Sequence, residues 1–242
     1  MSESPDAVQA TICAQDPAAR TALAEHGDLA LSVAYFDRFD VPRDARILDL
    51  GTRFGSFLQA LDMRGYGEIQ GLDIDADAIE TGRRTYPHLA DRLHLYDGVS
   101  LQLAPESLDV ITAFDVLEHI PDLPRFLTRL LPALRPGGRM IFQTPNRYIN
   151  IPWEILQHRS LTEWRKFHCS LQSLGSLRRI LKQGGFGSIS IEKFDRPSDF
   201  KDHHARQKLG PLGPVAIRLA RRMPLPLYPN FWGHARRPDR GA

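Results

Sequence analysis

Glycines and acidic residues form the first group in the sequence that could do chemistry. Asp49 and Gly51 end a short apolar segment, and Gly55 precedes a segment with helical spacing. Glycine lets the backbone turn tightly and approach a ligand closely, and a helix N-terminus offers N–H groups to a carboxylate or phosphate. Asp73 lies 24 residues beyond Asp49, where an acid suits the two hydroxyls of a ribose. The pattern predicts a nucleotide site.

Carboxylates and imidazoles form a second group. Asp115, Glu118 and His119 are close in sequence, and His168 follows much later. Side chains three residues apart project from the same side of a helical turn. Such a group can hold a divalent metal, or His119 or His168 can act as a general base, since imidazole is available in its neutral form near neutral pH. Glu118 and His119 can equally organise a loop by hydrogen bonds, so these interpretations stay open.

A third group is expected to contact the acceptor of a reaction. Asn146, Arg147 and Tyr148 follow a predicted strand, and Trp153 lies in the same long segment between predicted elements. Long segments of this kind are often lids or binding surfaces. A surface turn and simple packing within a lid are the alternatives.

The elements that must position these residues follow from the apolar pattern. Short apolar segments alternate with helical periodicity from Arg46 onward, which predicts an α/β fold with a mostly parallel sheet and helices on both faces. Ligands of such sheets bind beyond the carboxyl ends of the strands. The predicted strands are Arg46–Leu50, Glu68–Asp73, Arg92–Tyr96, Leu108–Phe114, Arg139–Gln143, Ser188–Phe194 and Phe231–Arg236. The predicted helices are Ser56–Met63, Ala76–Arg84, Leu123–Leu134 and Leu174–Lys182.

We expect a single domain over residues 1–242. Residues 1–44 carry helical apolar spacing without strand signals and are predicted to form N-terminal helices. The remaining predicted parts are a core over 45–195, acceptor-side insertions at 145–172 and 196–229, and a last strand over 230–237 at or beside a sheet edge.

The composition is typical of a soluble globular protein, with 42% hydrophobic and 25% charged residues. Cys13 and Cys169 are too few for a disulfide framework and lack metal-ligand spacing. No segment has the length of a membrane span or the pattern of a signal peptide, so we expect a cytoplasmic protein.

The end of the chain is basic, with nine Lys or Arg against two Asp from Lys201 onward. Pro214–Met223 predicts a basic amphipathic helix that could make peripheral membrane contact. Packing across the domain or in a homodimer is the alternative. Nucleic-acid binding is not expected, since no RNA-binding motif is recognisable.

Several segments, in this order, resemble the motifs of class I S-adenosylmethionine-dependent methyltransferases, in the methyltransferase-11/23-like branch. Asp49-Leu50-Gly51-Thr52-Arg53-Phe54-Gly55 resembles the first motif, usually written Asp-x-Gly-x-Gly-x-Gly. The other matching segments within residues 45–195 are Gly71–Ile74, Tyr96–Gly98, Ser107–Ile111, Asp115–Ile120 and Leu134–Gly138. The resemblance implies a Rossmann-like seven-stranded fold, with S-adenosylmethionine as cofactor and S-adenosylhomocysteine as product.

The same resemblance implies roles for individual residues. Asp49 and Gly51 would hold the methionine portion of the cofactor, Asp73 the ribose hydroxyls, and Asp97 the adenine amino group. The full implied cofactor set is Asp49, Gly51, Thr52, Arg53, Gly55, Asp73, Ile74, Asp97, Gly98, Val99, Phe114 and Asp115. Arg53 departs from the family pattern because it replaces the central glycine of the first motif. That departure would fit a non-catalytic regulatory or scaffold protein that binds the cofactor.

Asp115-x-x-Glu118-His119 with His168 resembles a metal-dependent subset of the family, which includes ubiquinone-pathway O-methyltransferases and small-RNA 2′-O-methyltransferases. Asp115 stands where that subset usually has Glu. By analogy these four residues would be catalytic and would hold a divalent metal such as Mg²⁺. The resemblance implies methyl transfer to a small-molecule or glycan-like acceptor, at oxygen, with N- or C-methylation as the alternative.

Overall fold

The computed structural model of the chain describes residues 29–195, 205–207 and 209–241. Its strands are β1 (Ile47–Leu50), β2 (Ile69–Asp73), β3 (Leu93–Leu95), β4 (Leu108–Phe114), β5 (Leu134–Pro145), β6 (Gly187–Glu192) and β7 (Asn230–Arg236). Its helices include α1 (Leu29–Phe36), α2 (Ser56–Asp62), α3 (Ala76–Thr85), α4 (Leu123–Leu130), α5 (Arg147–His158), α6 (Trp164–Phe167), α7 (Leu174–Gln183) and α8 (Gly213–Arg222). The seven strands form a mixed, Rossmann-like sheet in the order β3-β2-β1-β4-β5-β7-β6, which confirms the predicted fold class.

The chain divides into two compact units, and the first consists of Met1–Ser100 with Asp195–Pro214. It contains β1, β2 and β3, which pair in parallel. All four residues of β1 are buried, as expected of a strand that is covered on both faces. Phe36 of α1 makes edge-to-face contacts with Phe57 and Tyr66. The predicted N-terminal helices can be compared only from Leu29 onward, because residues 1–28 lie outside the described residues.

The second unit consists of Leu101–Phe194 with Val215–Ala242. Here β4 and β5 pair in parallel, whereas β7 is antiparallel to both β5 and β6. The predicted last strand is therefore confirmed, and it lies beside the edge strand β6. The basic amphipathic helix predicted at Pro214–Met223 forms as α8.

Two predicted boundaries, the end of one helix and the start of the next strand, were wrong by four or more residues. The helix predicted over Leu123–Leu134 ends at Leu130, and a 3-10 helix covers Leu131–Ala133. Pro132 has no N–H to continue the helical hydrogen bonding. Leu134 instead pairs with Leu108, so β5 begins five residues before the predicted Arg139. Among the described residues, no helix has the length and apolar character needed to cross a membrane.

Candidate functional site

The loop between β1 and α2 is held tightly against β2. Gly51 and Gly55 have φ values of 74° and 79°, which glycine adopts without strain. The N–H groups of Gly51 and Thr52 both donate to the carbonyl oxygen of Leu72, at 2.8 and 3.1 Å. A Cβ atom at Gly71 would lie 2.6 Å from the Thr52 side chain. The close approach of loop and strand therefore depends on glycine at position 71.

Arg53 occupies the centre of this loop with φ 51°. Its N–H donates to Asp73 Oδ2 at 2.7 Å, and its guanidinium lies 4.8 Å from the centroid of the Phe54 ring. The left-handed region costs a residue other than glycine about 1–2 kcal/mol, which the bond to Asp73 offsets. Arg53 thus adopts the backbone conformation of a glycine, and the loop path does not require one.

Asp73 is buried at the end of β2. Its Oδ1 accepts a hydrogen bond from the N–H of Asp75 at 2.9 Å, while Oδ2 accepts the one from Arg53. Each carboxylate oxygen can accept two hydrogen bonds, so each retains capacity for a hydroxyl. Asp49, which the sequence also predicts at the site, is buried at the end of β1.

Asp97 begins a short loop after β3. Its Oδ1 accepts from the N–H groups of Ser100, at 2.6 Å, and Val99, at 2.8 Å. These backbone hydrogen bonds, that of Ser100 first, hold the pKa of the Asp97 carboxyl below its ordinary value. Val99 is 59% exposed and Ile74, after β2, is 64% exposed. Gly98 has φ 76°, and a Cβ there would contact Ile74 at 3.4 Å, so apolar side chains flank this carboxylate loop.

Tyr96 belongs to the same region and was not among the predicted site residues. Its N–H donates to the carbonyl oxygen of Asp73 at 2.9 Å. Burial, followed by the charges of Asp73 and Asp97, raises the pKa of its hydroxyl to about 12. The hydroxyl therefore stays protonated beside two carboxylates. Its place directly before Asp97 was the available sequence signal.

In the second unit, Asp115 follows the end of β4 with φ 53°. Its N–H is shared between the carbonyl oxygen and Oε1 of Gln143, at 3.1 and 3.0 Å. The Asp115 side chain is exposed, yet the surrounding protein desolvates it enough to raise the pKa of its carboxyl. The preceding Phe114 ring contacts Trp232 at 5.9 Å between centroids.

Glu118 lies in the 3-10 helix Leu117–His119 and is 1% exposed. The Thr144 hydroxyl donates to its Oε2 at 2.9 Å. Burial, and then the charge of Asp115, raises the pKa of the Glu118 carboxyl well above its ordinary value. The Glu118 carbonyl oxygen accepts from the N–H of Ser170 at 2.8 Å and from the Cys169 thiol at 3.7 Å. These bonds bring the segment around His168 to the 3-10 helix.

Two histidines come together at this point. The rings of His119 and His168 lie 5.1 Å apart between centroids, with 32° between their planes. The donor atoms of Glu118, His119 and His168 all lie within 4.8 Å of one another. The structure therefore gathers three of the four predicted metal ligands, and Asp115 is not in this group.

Glu154 of α5 lies beside His168. Its Oε1 lies 3.4 Å from His168 Nδ1, and its Oε2 lies 3.2 Å from His158 Nε2. Burial lowers the pKa of His168, while the Glu154 charge opposes that shift. Sequence analysis missed Glu154. The four-residue spacing to His158 was visible, but the contact with His168 depends on how the chain folds back.

The chemistry of the donor group can be tested against the predicted metal. One carboxylate and two imidazoles suit a transition metal such as Mn²⁺ or Zn²⁺, because imidazole is a poor match for Mg²⁺, which prefers oxygen ligands. The three residues thus fit a divalent cation, but Mg²⁺ fits them least well.

The residues predicted to contact the acceptor differ in their burial and hydrogen bonding. Asn146 is fully buried, and its Nδ2 donates to the carbonyl oxygens of Pro226 and Tyr228, both at 2.9 Å. Its Oδ1 accepts from the N–H of Tyr148 at 3.1 Å and so caps α5. Because its amide group is committed to these bonds, we correct the expectation that Asn146 contacts the acceptor. Arg147 and Tyr148 are exposed, and Trp153 is half-buried.

Comparison with known proteins shows the family to which this chain belongs. The model of a methyltransferase-domain family matches residues 23–191. The chain belongs to the class I S-adenosylmethionine-dependent methyltransferases. Asp49 and Asp73 thus lie at the ends of strands of a methyltransferase fold.

Individual relatives are distant. A ubiquinone biosynthesis O-methyltransferase of Vibrio atlanticus is 25% identical over 174 residues, covering 69% of this chain and 65% of that protein. A Mycolicibacterium smegmatis protein named probable S-adenosylmethionine-dependent methyltransferase is 30% identical over 146 residues, covering 60% of this chain and 52% of that protein. The matches thus span less than two thirds of either relative. A crystal structure of an S-adenosylmethionine-dependent methyltransferase from Mesorhizobium loti shares the fold, with a TM-score of 0.62, 22% identity, and coverage of 85% and 96% of the two chains.

Proposed function

We propose that this methyltransferase transfers a methyl group from S-adenosylmethionine to an oxygen atom of a small-molecule or glycan-like acceptor. The observation that carries the proposal is the group of Glu118, His119 and His168, with donor atoms within 4.8 Å of one another. A hydroxyl acceptor must lose a proton when it is methylated. This group is suited to accept that proton or to lower the pKa of the hydroxyl. The similarity to a ubiquinone biosynthesis O-methyltransferase supports the choice of oxygen.

The first unit would bind the cofactor, whose sulfonium group supplies an electrophilic methyl. The remaining acceptor capacity of Asp73 suits the ribose hydroxyls. The exposed Ile74 and Val99 offer apolar contact to the adenine ring, and Asp97 offers a carboxylate to its amino group. Asp49 and Gly51 would hold the methionine portion, beside the N-terminus of α2.

Residues of the second unit would accept the proton that the acceptor hydroxyl loses. His119 or His168 would accept the proton of the acceptor hydroxyl at an imidazole nitrogen. For His168 that atom is Nε2, since Nδ1 faces Glu154. Arg147, Tyr148 and Trp153 on α5 remain the proposed contacts to the acceptor.

A divalent cation is the second way in which the same group could serve an oxygen acceptor. Glu118, His119 and His168 would hold it, and it would lower the pKa of a bound hydroxyl. The buried Glu118 carboxylate, fixed by Thr144, would supply the only anionic ligand within the three-residue group.

Asp73→Asn tests the cofactor site. We expect the affinity for S-adenosylmethionine, measured by calorimetry, to fall about 100-fold or more, because hydrogen bonds to a charged group are worth about 1.5–3 kcal/mol each. The control is Asp91→Asn, which changes an exposed acid outside the site and should keep the native affinity. A native protein that binds no S-adenosylmethionine would overturn the proposed function.

Removal of metal ions by a chelator distinguishes the two proposed roles of Glu118, His119 and His168, which are proton transfer and metal binding. After treatment with a chelator and dialysis, Mn²⁺ is added and followed by electron paramagnetic resonance, and methylation of catechol is measured in parallel. Bound Mn²⁺ that is lost in His168→Ala, together with activity that returns only with the metal, would assign the group to metal binding. Full activity after chelation, with no Mn²⁺ bound, would instead assign the group to proton transfer alone.

A further inference from the structure

Helix α8 carries apolar and cationic side chains together on an exposed surface. Val215 and Leu219 are 49% and 59% exposed, and Arg218 and Arg222 are exposed as well. Residues three and four apart share one face of a helix, so these four side chains form one stripe. Gly213 is the only buried residue of α8. A helix that is amphipathic yet leaves Val215 and Leu219 in water lacks a partner for them among the residues that the structure describes.

The sequence on either side of α8 carries charge of one sign. Residues 203–238 contain seven Lys or Arg and no Asp or Glu. Three of the seven, Arg218, Arg221 and Arg222, lie in α8. Because α8 itself contains no acid, an anionic surface would complement its arginines.

The helix is nevertheless fixed in place. The Lys193 ammonium, just after β6, donates to the carbonyl oxygen of Met223 at 2.9 Å and to that of Arg221 at 3.5 Å. It also lies 5.7 Å from the ring of Tyr228, which is buried. The C-terminal end of α8 is thereby anchored, while Val215 and Leu219 stay exposed.

We propose that α8 binds the surface of an anionic lipid membrane, with Val215 and Leu219 at the boundary of the acyl chains and Arg218 and Arg222 on lipid phosphates. Interfacial helices combine an apolar face with a cationic one in this way. A second copy of the chain fits less well, because pairing two α8 surfaces would oppose like charges. Nucleic acid would match the arginines but leave the apolar side chains in water.

Vesicle binding tests the proposal. The full chain is sedimented with vesicles of phosphatidylcholine alone or of phosphatidylcholine and phosphatidylglycerol in equal parts. We expect binding to the mixed vesicles only. Arg218→Gln with Arg222→Gln should weaken it about 30-fold, since each cation near such a surface contributes about a factor of five. Val215→Ser with Leu219→Ser should weaken it at least about tenfold, from the loss of apolar burial.

Matched variants on other surfaces are the controls. Arg178→Gln with Arg179→Gln removes two exposed arginines of α7, and Leu161→Ser removes a side chain that is 75% exposed. Both should bind mixed vesicles like the native chain, and all variants should keep its melting temperature. The proposal is wrong if the native chain does not sediment with mixed vesicles, if the α7 variant loses as much binding as the α8 variant, or if the α8 substitutions change only the oligomeric state.

Discussion

Arg53 shows how one side chain can depart from a family motif without altering the backbone around it. Its φ of 51° is that of a glycine position, and its N–H still reaches Asp73. The positively charged side chain is directed to the Phe54 ring, 4.8 Å away. What matters at this position is therefore the backbone conformation, which arginine can adopt at modest cost.

Substitutions at Arg53 should separate the effect of its backbone conformation on cofactor affinity from the effect of its side chain. Arg53→Gly relieves the strain of the left-handed conformation, so we expect affinity for S-adenosylmethionine within about threefold of the native value. Arg53→Val should weaken binding about tenfold or more, because β-branched residues strongly resist a positive φ. Calorimetry gives both affinities. An equal loss of affinity in the two variants would mean that the guanidinium itself contacts the cofactor.

Sequence reasoning correctly located residues that stand at fixed points of a chain pattern, at strand ends and turns, while their roles stay predictions. Asp49 and Asp73 each end a strand, and glycines mark the turn between them. The approach of His168 to His119 was expected only from the resemblance, since 49 residues separate the two. Asn146 was misjudged because its position after a strand does not reveal that it bonds to the segment 226–229.

At the scale of elements, α5 connects the candidate acceptor region to the histidine pair. None of its residues is buried, yet Glu154 reaches His168 Nδ1 at 3.4 Å. At 3.4 Å the pair is an ion-pair contact and not a hydrogen bond, and a carboxylate beside one imidazole nitrogen favours a proton on that nitrogen. The helix thus helps to position a group that lies outside it.

Glu154→Gln should lower kcat about tenfold or more, as expected when a partner that orients a functional histidine is lost. Affinity for S-adenosylmethionine should not change, since Glu154 is not in the cofactor region. The control is His158→Gln, which removes the other partner of Glu154 and should leave kcat within about twofold. If both variants lose activity equally, α5 acts by its general packing and not through His168.

Asn146 joins three elements: the end of β5, the start of α5 and the segment before β7. Asn146→Ala leaves buried backbone groups without their partners, so we expect the free energy of unfolding to fall by about 2–4 kcal/mol. Urea denaturation of Asn146→Ala and of Asn150→Ala, a half-buried neighbour, measures the difference. A loss no larger than that of Asn150→Ala would contradict this role.

At the scale of the whole molecule, the alternation of apolar segments was enough to predict part of every strand of the sheet, including the antiparallel β6 and β7. Strand ends were less predictable. The start of β5 depends on the pairing of Leu134 with Leu108, which local propensity does not contain. The strand order was not derivable from the residues either, since β7 takes its place only through contacts with two distant segments.

The position of β7 has a consequence for synthesis. Its residues leave the ribosome after those of β5 and β6, yet they lie between these two strands in the sheet. Until then β5 and β6 each present an unpaired edge, and such edges are templates for pairing with other chains. The nascent protein must therefore pass through a stage at which one strand is missing from the interior of its sheet, and at that stage it depends most on protection from aggregation.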